Sequence, residues 1–158
     1  MELRGYSTSL AAMEIMTATQ WRTFVSTGTR TGKLGVQRKD GRPHVTPVWF
    51  VLDETDPDDV RVVINTGRES VKGRALRRDP HFALCVDDQE PPYSFVLLEC
   101  TAELVEDLVE LEAWATRIAA RYMGEDRAAE IGARNAVPGE YLVRARIDKV
   151  TAHARLAE

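Results

Sequence analysis

The residues of this chain best suited to chemistry lie between Val60 and Pro80, where the sequence reads VRVVINTGRESVKGRALRRDP. A β-branched apolar run ends at Asn65-Thr66-Gly67, and Ser70 then begins a helix with Lys72 in its first turn. Unpaired amide groups at a helix start attract anions, and a hydroxyl and an ammonium group beside them add further contacts. We therefore expect this strand-to-helix segment to bind the phosphate of a small molecule.

The charge of this segment is opposite in sign to that of the whole chain, whose formal net charge is −4. Between residues 68 and 79 there are two acidic and five basic residues, namely Arg68, Lys72, Arg74, Arg77 and Arg78. In an alternative interpretation Ser70 is a simple helix N-cap and the arginines form a solvated helix face. The negative net charge argues against a general nucleic-acid-binding protein, whose affinity comes from an excess of Lys and Arg.

The first part of the chain provides a helix and a hairpin. Thr17 and Gln20 form a capping box, which predicts a helix ending near Ser26. Asp40-Gly41 supplies a hairpin turn before a single strand over residues 43–52. That strand has few charges, so we expect both of its faces to be covered, and Pro47 requires a bulge or an edge position. Residues 1–16 are expected to be a flexible tail, and residues 17–158 a single domain.

The rest of the chain contains mostly strands. We expect strands at 60–66, 82–86, 95–104 and 141–153, and helices at 70–78, 105–123 and 126–134. The apolar stripe of the long helix, which includes Trp114, Ile118 and Tyr122, is interpreted as packing against the sheet. About six strands with hairpin turns and one long helix predict an antiparallel barrel or sandwich, not a βαβ fold.

The remaining reactive side chains give no metal or disulfide motif. Cys85 and Cys100 lie in apolar runs without Cys-x-x-Cys spacing, so reduced core thiols are favoured over a bridge between neighbouring strands. His44, His81 and His153 are too scattered for a metal site. The sequence has no signal-peptide pattern and no apolar stretch of transmembrane length, so we expect a cytoplasmic protein.

Three segments make the chain resemble a known family. They are Asp40–Phe50, Ser70–Pro80 and Glu99–Glu103, which match the turn and cofactor-facing strand, the K-x-x-N-L-R-R-D-P pattern and the E-G-T-A pattern of that family. On these segments the chain resembles the pyridoxamine 5'-phosphate oxidase-like split-barrel superfamily, and within it the actinobacterial F420-dependent reductases. The likeness covers roughly residues 21–154.

The resemblance implies a six-stranded Greek-key split β-barrel that acts as a homodimer, with cofactors in the grooves between subunits. It also implies cofactor-binding residues by position. These are Thr46, Pro47, Val48 and Trp49 at the ring, Asn65 and Thr66 at the ribityl chain, Ser70 and Lys72 at the phosphate, and Tyr93 of the partner subunit over the cofactor.

The chain departs from the family pattern at two of these places. Cys100 replaces a glycine, which bears on a bulge. Ser70 stands where some F420-binding relatives have arginine, so Arg68 or Arg74 is a candidate substitute for that charge.

The function implied by the resemblance is an F420H2-dependent reductase that transfers a hydride to an electrophilic small molecule. An FMN-dependent oxidoreductase on the same barrel is one alternative. A non-catalytic protein that binds a flavin, F420 or haem is another. No residue is identified as the proton donor, and no nucleic acid or membrane partner is expected.

Overall fold

The structure is a computed structural model, and it describes residues 14–157. Within this range the chain forms eight strands and four helices. In chain order they are β1 (Glu14–Ile15), α1 (Ala18–Ser26), β2 (Gly32–Gln37), β3 (Pro43–Val48), β4 (Val51–Asp53), β5 (Arg61–Gly67), α2 (Val71–Arg78), β6 (His81–Asp87), β7 (Phe95–Val105), α3 (Leu108–Met123), α4 (Glu125–Asn135) and β8 (Glu140–Ala154).

The strands form one antiparallel sheet whose two end strands are joined by a short link. The strand order is β3-β2-β6-β7-β8-β5-β4, with β1 pairing to β8 outside this path. The two end strands, β3 and β4, are separated in sequence only by Trp49 and Phe50. Three peptide steps span at most about 11 Å, so the two edges of the sheet must meet at this link. The result is the predicted mainly β architecture, an antiparallel split barrel.

Apolar side chains from the strands fill the barrel. Leu34, Phe50, Ile64, Leu84 and Leu98 are fully buried and belong to one cluster. Helix α3 packs outside the barrel, where its Leu111 and Trp114 contact Val63 of β5 and Leu142 of β8 in a second cluster. The predicted packing of α3 against the sheet is therefore confirmed.

The single strand expected over residues 43–52 is wrong, because it is divided at Trp49 and Phe50. The chain must leave its neighbour β2 and reach β5 on the opposite edge of the sheet, so the regular ladder ends at Val48. Pro47 lies on the terminal strand of the sheet, which confirms the edge position that its missing N–H requires.

The expectation that both faces of this strand are covered is also wrong for the single chain. His44, Thr46 and Val48 are half-buried, whereas the opposite face is open. On that face Val45 is 62% exposed and Trp49 is 39% exposed. The outward face that carries Val45 and Trp49 is therefore apolar, and nothing within the described part of one chain covers it.

The start of the chain also differs from expectation. Glu14 and Ile15 pair with Ala154 and His153 of β8, and the Met16 amide donates to the Ala152 carbonyl at 3.1 Å. Residues 14–16 therefore belong to the sheet and not to a tail. The rest of the predicted tail, residues 1–13, lies outside the described residues.

The two cysteines lie on neighbouring strands but are not bridged. Cys100 of β7 is opposite Phe82 of β6, three residues from Cys85, a separation of about 10 Å along the strand. A disulfide requires Cα atoms within about 7 Å, and both thiols are free. Cys100 adjoins a bulge in the β7–β8 ladder, which lies between Glu99 and Cys100.

No helix among residues 14–157 has the length and apolar character needed to cross a membrane.

Candidate functional site

The candidate site is a cavity where two strands diverge. Strand β4 pairs with β5 only from Asp53 opposite Arg61 to Val51 opposite Val63. Strand β5 continues past Val63 to Gly67, whereas β3, which precedes β4 in the chain, pairs with β2 and diverges from β5. The cavity between them, which we call the wedge cavity, has a volume of about 310 Å³. Its walls are Pro47, Val48, Trp49, Asn65, Thr66, Lys72 and Asn135.

The corner between β5 and α2 is held by Ser70. Its hydroxyl donates to the Gly67 carbonyl at 2.7 Å and accepts from the Gly73 amide at 3.0 Å, which caps the helix. The Thr66 hydroxyl lies 3.1 Å from the same oxygen. The predicted N-cap is therefore confirmed. This hydroxyl can donate a hydrogen bond to a phosphate only if it gives up its hydrogen bond to the Gly67 carbonyl.

Gly73 permits the close approach of α2 to this corner. A Cβ atom at position 73 would lie 2.2 Å from the Gly67 carbonyl oxygen and 2.7 Å from that of Arg68. Glycine costs about 1 kcal/mol in a helix relative to alanine. Glycine is nevertheless required at position 73, because a side chain there would clash with these carbonyl groups and force α2 away from the end of β5.

Lys72 differs from the other basic residues of the segment. Its side chain is half-buried against the wedge cavity, and among residues 14–157 it has no hydrogen-bond or ion-pair partner. The arginines are all engaged elsewhere: Arg68 with Glu106 at 3.0 Å, Arg74 with Glu69 at 3.1 Å, Arg77 with the Tyr141 hydroxyl at 3.2 Å, and Arg78 with the Gln37 carbonyl at 2.9 Å.

Trp49 provides a flat apolar wall whose orientation is fixed by α3. Its ring is stacked on that of Tyr122, with centroids 5.2 Å apart and an interplanar angle of 4°. The Tyr122 hydroxyl donates to the Arg30 carbonyl at 2.8 Å and accepts from the Phe50 amide at 3.3 Å. Burial raises the pKa of Tyr122, so the hydroxyl keeps the proton that it donates.

Arg121, the neighbour of Tyr122, ties the β3–β4 link to the end of α1. Its guanidinium donates to the carbonyls of Val25 at 2.6 Å, Phe50 at 2.8 Å and Gly28 at 3.0 Å. Burial lowers its pKa from the ordinary arginine value, yet arginine stays charged in proteins. Backbone carbonyl dipoles therefore stabilise this cation.

Thr46 adjoins the cavity walls in sequence and has an unusual hydroxyl. Its oxygen is buried and has no hydrogen-bond partner within the described part of the chain. A buried hydroxyl without a partner costs about 1–3 kcal/mol, so such a group calls for a ligand or a water molecule.

Most of the predicted site residues come together. Pro47, Val48, Trp49, Asn65, Thr66 and Lys72 line one cavity, with Ser70 in its supporting corner. Thr46 is not among the lining residues, and neither is Tyr93. That residue is 43% exposed in the turn before β7, with a φ of 56°.

Sequence reasoning missed two contributors to the cavity. Asn135 is the last residue of α4, and no motif marks it. Tyr122 was assigned only to packing, although its ring also supports Trp49 across 73 positions of sequence.

A larger cleft of about 630 Å³ is lined by residues of β2, β3, β6, β7 and β8. Its ionisable walls include Asp79, Glu99 and Asp148 beside Lys149, and Lys149 is paired with Glu99 at 3.8 Å. This acidic rim disfavours a phosphorylated ligand. We therefore identify the wedge cavity as the candidate site despite its smaller volume.

Comparisons with known proteins identify the family and the fold of the chain. Residues 18–154 match the family model described as pyridoxamine 5'-phosphate oxidase. No curated protein matches the chain significantly. Solved structures share its fold, including a conserved hypothetical protein from Mycobacterium tuberculosis at 24% identity and a TM-score of 0.75, which covers 90% of this chain and 87% of the other.

Two further structures carry names that mention a cofactor. One is named F420 reductase, with 20% identity, a TM-score of 0.63 and coverage of 82% of this chain and 94% of that one. The other is a FAD-binding protein from Mesorhizobium loti, with 16% identity, a TM-score of 0.63 and coverage of 89% and 94%. At these identities the likeness shows the fold alone.

Proposed function

Because the chain belongs to the pyridoxamine 5'-phosphate oxidase family, we propose that its wedge cavity binds the deazaflavin coenzyme F420. The protein would then be an F420H2-dependent reductase of electrophilic small molecules. One observation carries the proposal: a single cavity holds the half-buried ammonium group of Lys72, which has no partner in the described part of the chain, and the indole ring of Trp49, which Tyr122 holds in place. The similar fold of a protein named F420 reductase supports it.

The phosphate end of the coenzyme would lie at the start of α2. Lys72 supplies a positive charge, and the first amides of the helix add the partial positive charge of its N-terminus. Ser70 contributes by holding the corner in shape, and it can bind phosphate directly if its hydroxyl turns from Gly67.

The ring end would lie against β3. Pro47 and Val48 offer backbone groups, and Trp49 offers an apolar wall that Tyr122 holds in place. The Thr46 hydroxyl, which has no hydrogen-bond partner within the described residues, adjoins these residues in sequence but does not line the cavity. Asn65 and Thr66 lie between the two ends, where they would contact the ribityl hydroxyl groups. These residues fit a phosphorylated flavin-type coenzyme.

The small volume of the wedge cavity and the exposed apolar face beside it both support a second copy of the chain as part of the site. A cavity of 310 Å³ is at the lower end of the range for small-molecule sites. The outward face of β3, with Val45 and Trp49, is apolar and open beside it. We propose a homodimer that covers this face, completes the cavity and brings Tyr93 of the partner subunit over the coenzyme.

The single positive charge of the wedge cavity matches the phosphate group of F420 better than that of FMN, provided that the carboxylates of the F420 tail lie outside the cavity. The phosphate of F420 is a diester with one negative charge, whereas the FMN phosphate is a monoester with a charge near −2 at pH 7. Lys72 is the one basic residue lining the cavity within residues 14–157. One ammonium group therefore balances the charge of a phosphate diester but only about half of the charge of a monoester.

When bound, reduced F420 supplies a hydride for an activated acceptor. The chain's residues would bind and orient the coenzyme, and Trp49 with the partner subunit would exclude water from the reacting face. Holding the donor and acceptor carbons about 3–3.5 Å apart lowers the activation free energy of the transfer by several kcal/mol. We assign no proton donor among the side chains, so water is the expected source.

The proposal is tested by titrating the purified protein with F420 and with FMN, followed by fluorescence, and then by measuring F420H2 oxidation with electrophilic acceptors such as enones. We expect tighter binding of F420 and acceptor-dependent oxidation. Tighter binding of FMN would overturn the choice of coenzyme. Tight F420 binding without oxidation by any acceptor would indicate a carrier protein.

The dimer is tested separately by Val45→Asp, which places a charge on the exposed face of β3. We expect sedimentation to show a dimer for the native protein, a monomer for the variant, and weaker F420 binding by the monomer. Thr19→Asp, on the exposed surface of α1, is the matched control. A native monomer with full F420 affinity would refute the shared site.

A further inference from the structure

Glu69 draws the arginines of the corner together. It directly precedes the N-cap Ser70, and its two carboxylate oxygens contact three guanidinium groups. The distances are 3.1 Å to Arg74, 3.6 Å to Arg77 and 3.8 Å to Arg68. The hydrogen bond from Arg74 holds the pKa of Glu69 below its ordinary value, so the carboxylate is charged at neutral pH.

We propose that Glu69 determines which phosphate charge the wedge cavity accepts. It would lower the affinity for dianionic phosphate monoesters more than that for singly charged diesters. This inference rests on the proposed function, because it assumes that the anionic part of a ligand lies beside Lys72. Glu69 would be a specificity-determining residue that acts through other groups and does not touch the ligand.

Two features of the corner support this role. First, Arg74 lies two positions after Lys72, yet it does not line the cavity, and its guanidinium is bound by Glu69 at 3.1 Å. Arg68 and Arg77 also contact Glu69, but Glu106 and Tyr141 bind them at shorter distances. Second, Glu69 places a negative charge at the start of α2, where the helix would otherwise attract an anion most strongly. Both effects lower the positive potential at the phosphate position.

The effect of this potential depends on the charge of the ligand. Electrostatic energy is proportional to charge, so removing the Glu69 carboxylate should favour a dianion about twice as much, in free energy, as a monoanion. A neutral ligand should be unaffected. This dependence distinguishes a change of potential from a general disturbance of the cavity, which would affect all three ligands alike.

The test compares Glu69→Gln with the native protein in flavin-fluorescence titrations at pH 8. The probes share one ring system and differ in charge: riboflavin, riboflavin 4',5'-cyclic phosphate and FMN. We expect FMN to bind about tenfold more tightly to the variant, the cyclic phosphate about threefold more tightly and riboflavin equally, since one gained ionic contact corresponds to about tenfold or more in affinity.

The matched control is Glu103→Gln. Glu103 is also an exposed glutamate in an ion pair, at 3.5 Å from Arg61, and the substitution changes the net charge equally. Arg61 and Gly67 are the two ends of β5, about 20 Å apart, so the control removes a charge far from the corner. We expect it to leave the FMN-to-riboflavin affinity ratio unchanged.

Several outcomes would overturn the inference. Equal changes for the three flavins, no change, or the same change in Glu103→Gln would each show that Glu69 does not set ligand charge. Lys72→Ala separates this failure from that of the proposed function. If Lys72→Ala weakens FMN binding while Glu69→Gln does not alter the ratio, the anion site stands and only the role of Glu69 fails. If none of the flavins binds either protein, the role of Glu69 fails, and the F420 titration alone decides the proposed function.

Discussion

Replacement of Lys72 by alanine isolates the contribution of the ammonium group to coenzyme binding. The residue has no hydrogen-bond or ion-pair partner among residues 14–157, so its removal breaks no internal polar contact. A hydrogen bond to a charged group contributes about 1.5–3 kcal/mol, which corresponds to a loss of about tenfold to 150-fold in F420 affinity. The free energy of unfolding should change by less than about 0.5 kcal/mol, as for other surface substitutions. Fluorescence titration and urea denaturation measure the two quantities.

Two companion variants make this prediction specific. Lys72→Arg keeps the charge and should retain most of the affinity. Arg74→Ala removes a neighbouring cation that is bound to Glu69, so we expect less than about a threefold change. The loss in Lys72→Ala should also shrink at high salt, because screening weakens the ionic contact. Unchanged F420 affinity in Lys72→Ala, or an equal loss in Arg74→Ala, would refute the placement of the phosphate.

Three other perturbations test the support of the site. Tyr122→Phe removes a hydroxyl that binds two backbone segments, so we expect a loss of about 1–3 kcal/mol in the free energy of unfolding, measured by urea denaturation. Gly73→Ala places a Cβ 2.2 Å from the Gly67 carbonyl oxygen, so it should lower the free energy of unfolding by about 1–3 kcal/mol and weaken F420 binding. In the control Gly35→Ala the nearest atom to the new Cβ is 3.7 Å away, so the loss in the same assay should be smaller. Burial raises the pKa of Cys100 to about 12, so about one thiol in ten thousand is ionised at pH 8, and a disulfide reagent should label Cys100 at least about 100-fold more slowly in native than in urea-unfolded protein.

The local elements of this fold could be predicted because short-range chemistry decides them. Thr17 and Gln20 form both reciprocal bonds of the expected capping box. Ser70 caps α2 as its position before Lys72 suggested. In each case the residues that interact are three positions apart, so the pattern is visible in the sequence.

The division of the strand over residues 43–52 could not be predicted in the same way. Its residues alternate without interruption through Trp49 and Phe50, and nothing local marks a break. The break follows from the sheet order, because β3 and β4 pair with β2 and β5 at opposite edges. The orientation of Trp49 depends on Tyr122, and the cavity wall formed by Asn135 depends on α4, which are both distant in sequence.

The division that closes the barrel also creates the candidate site. The chain comes from β3 and first pairs with β5 at Val51, so the part of β5 beyond Val63 has no β4 partner and the wedge between β3 and β5 stays open. Arg121 and Tyr122 then fix the link by binding both Phe50 and the segment after α1. The same contacts therefore hold the barrel closed and set the angle of the wedge. A relative with a different residue at position 121 or 122 would need another way to hold this link before it could present the same cavity.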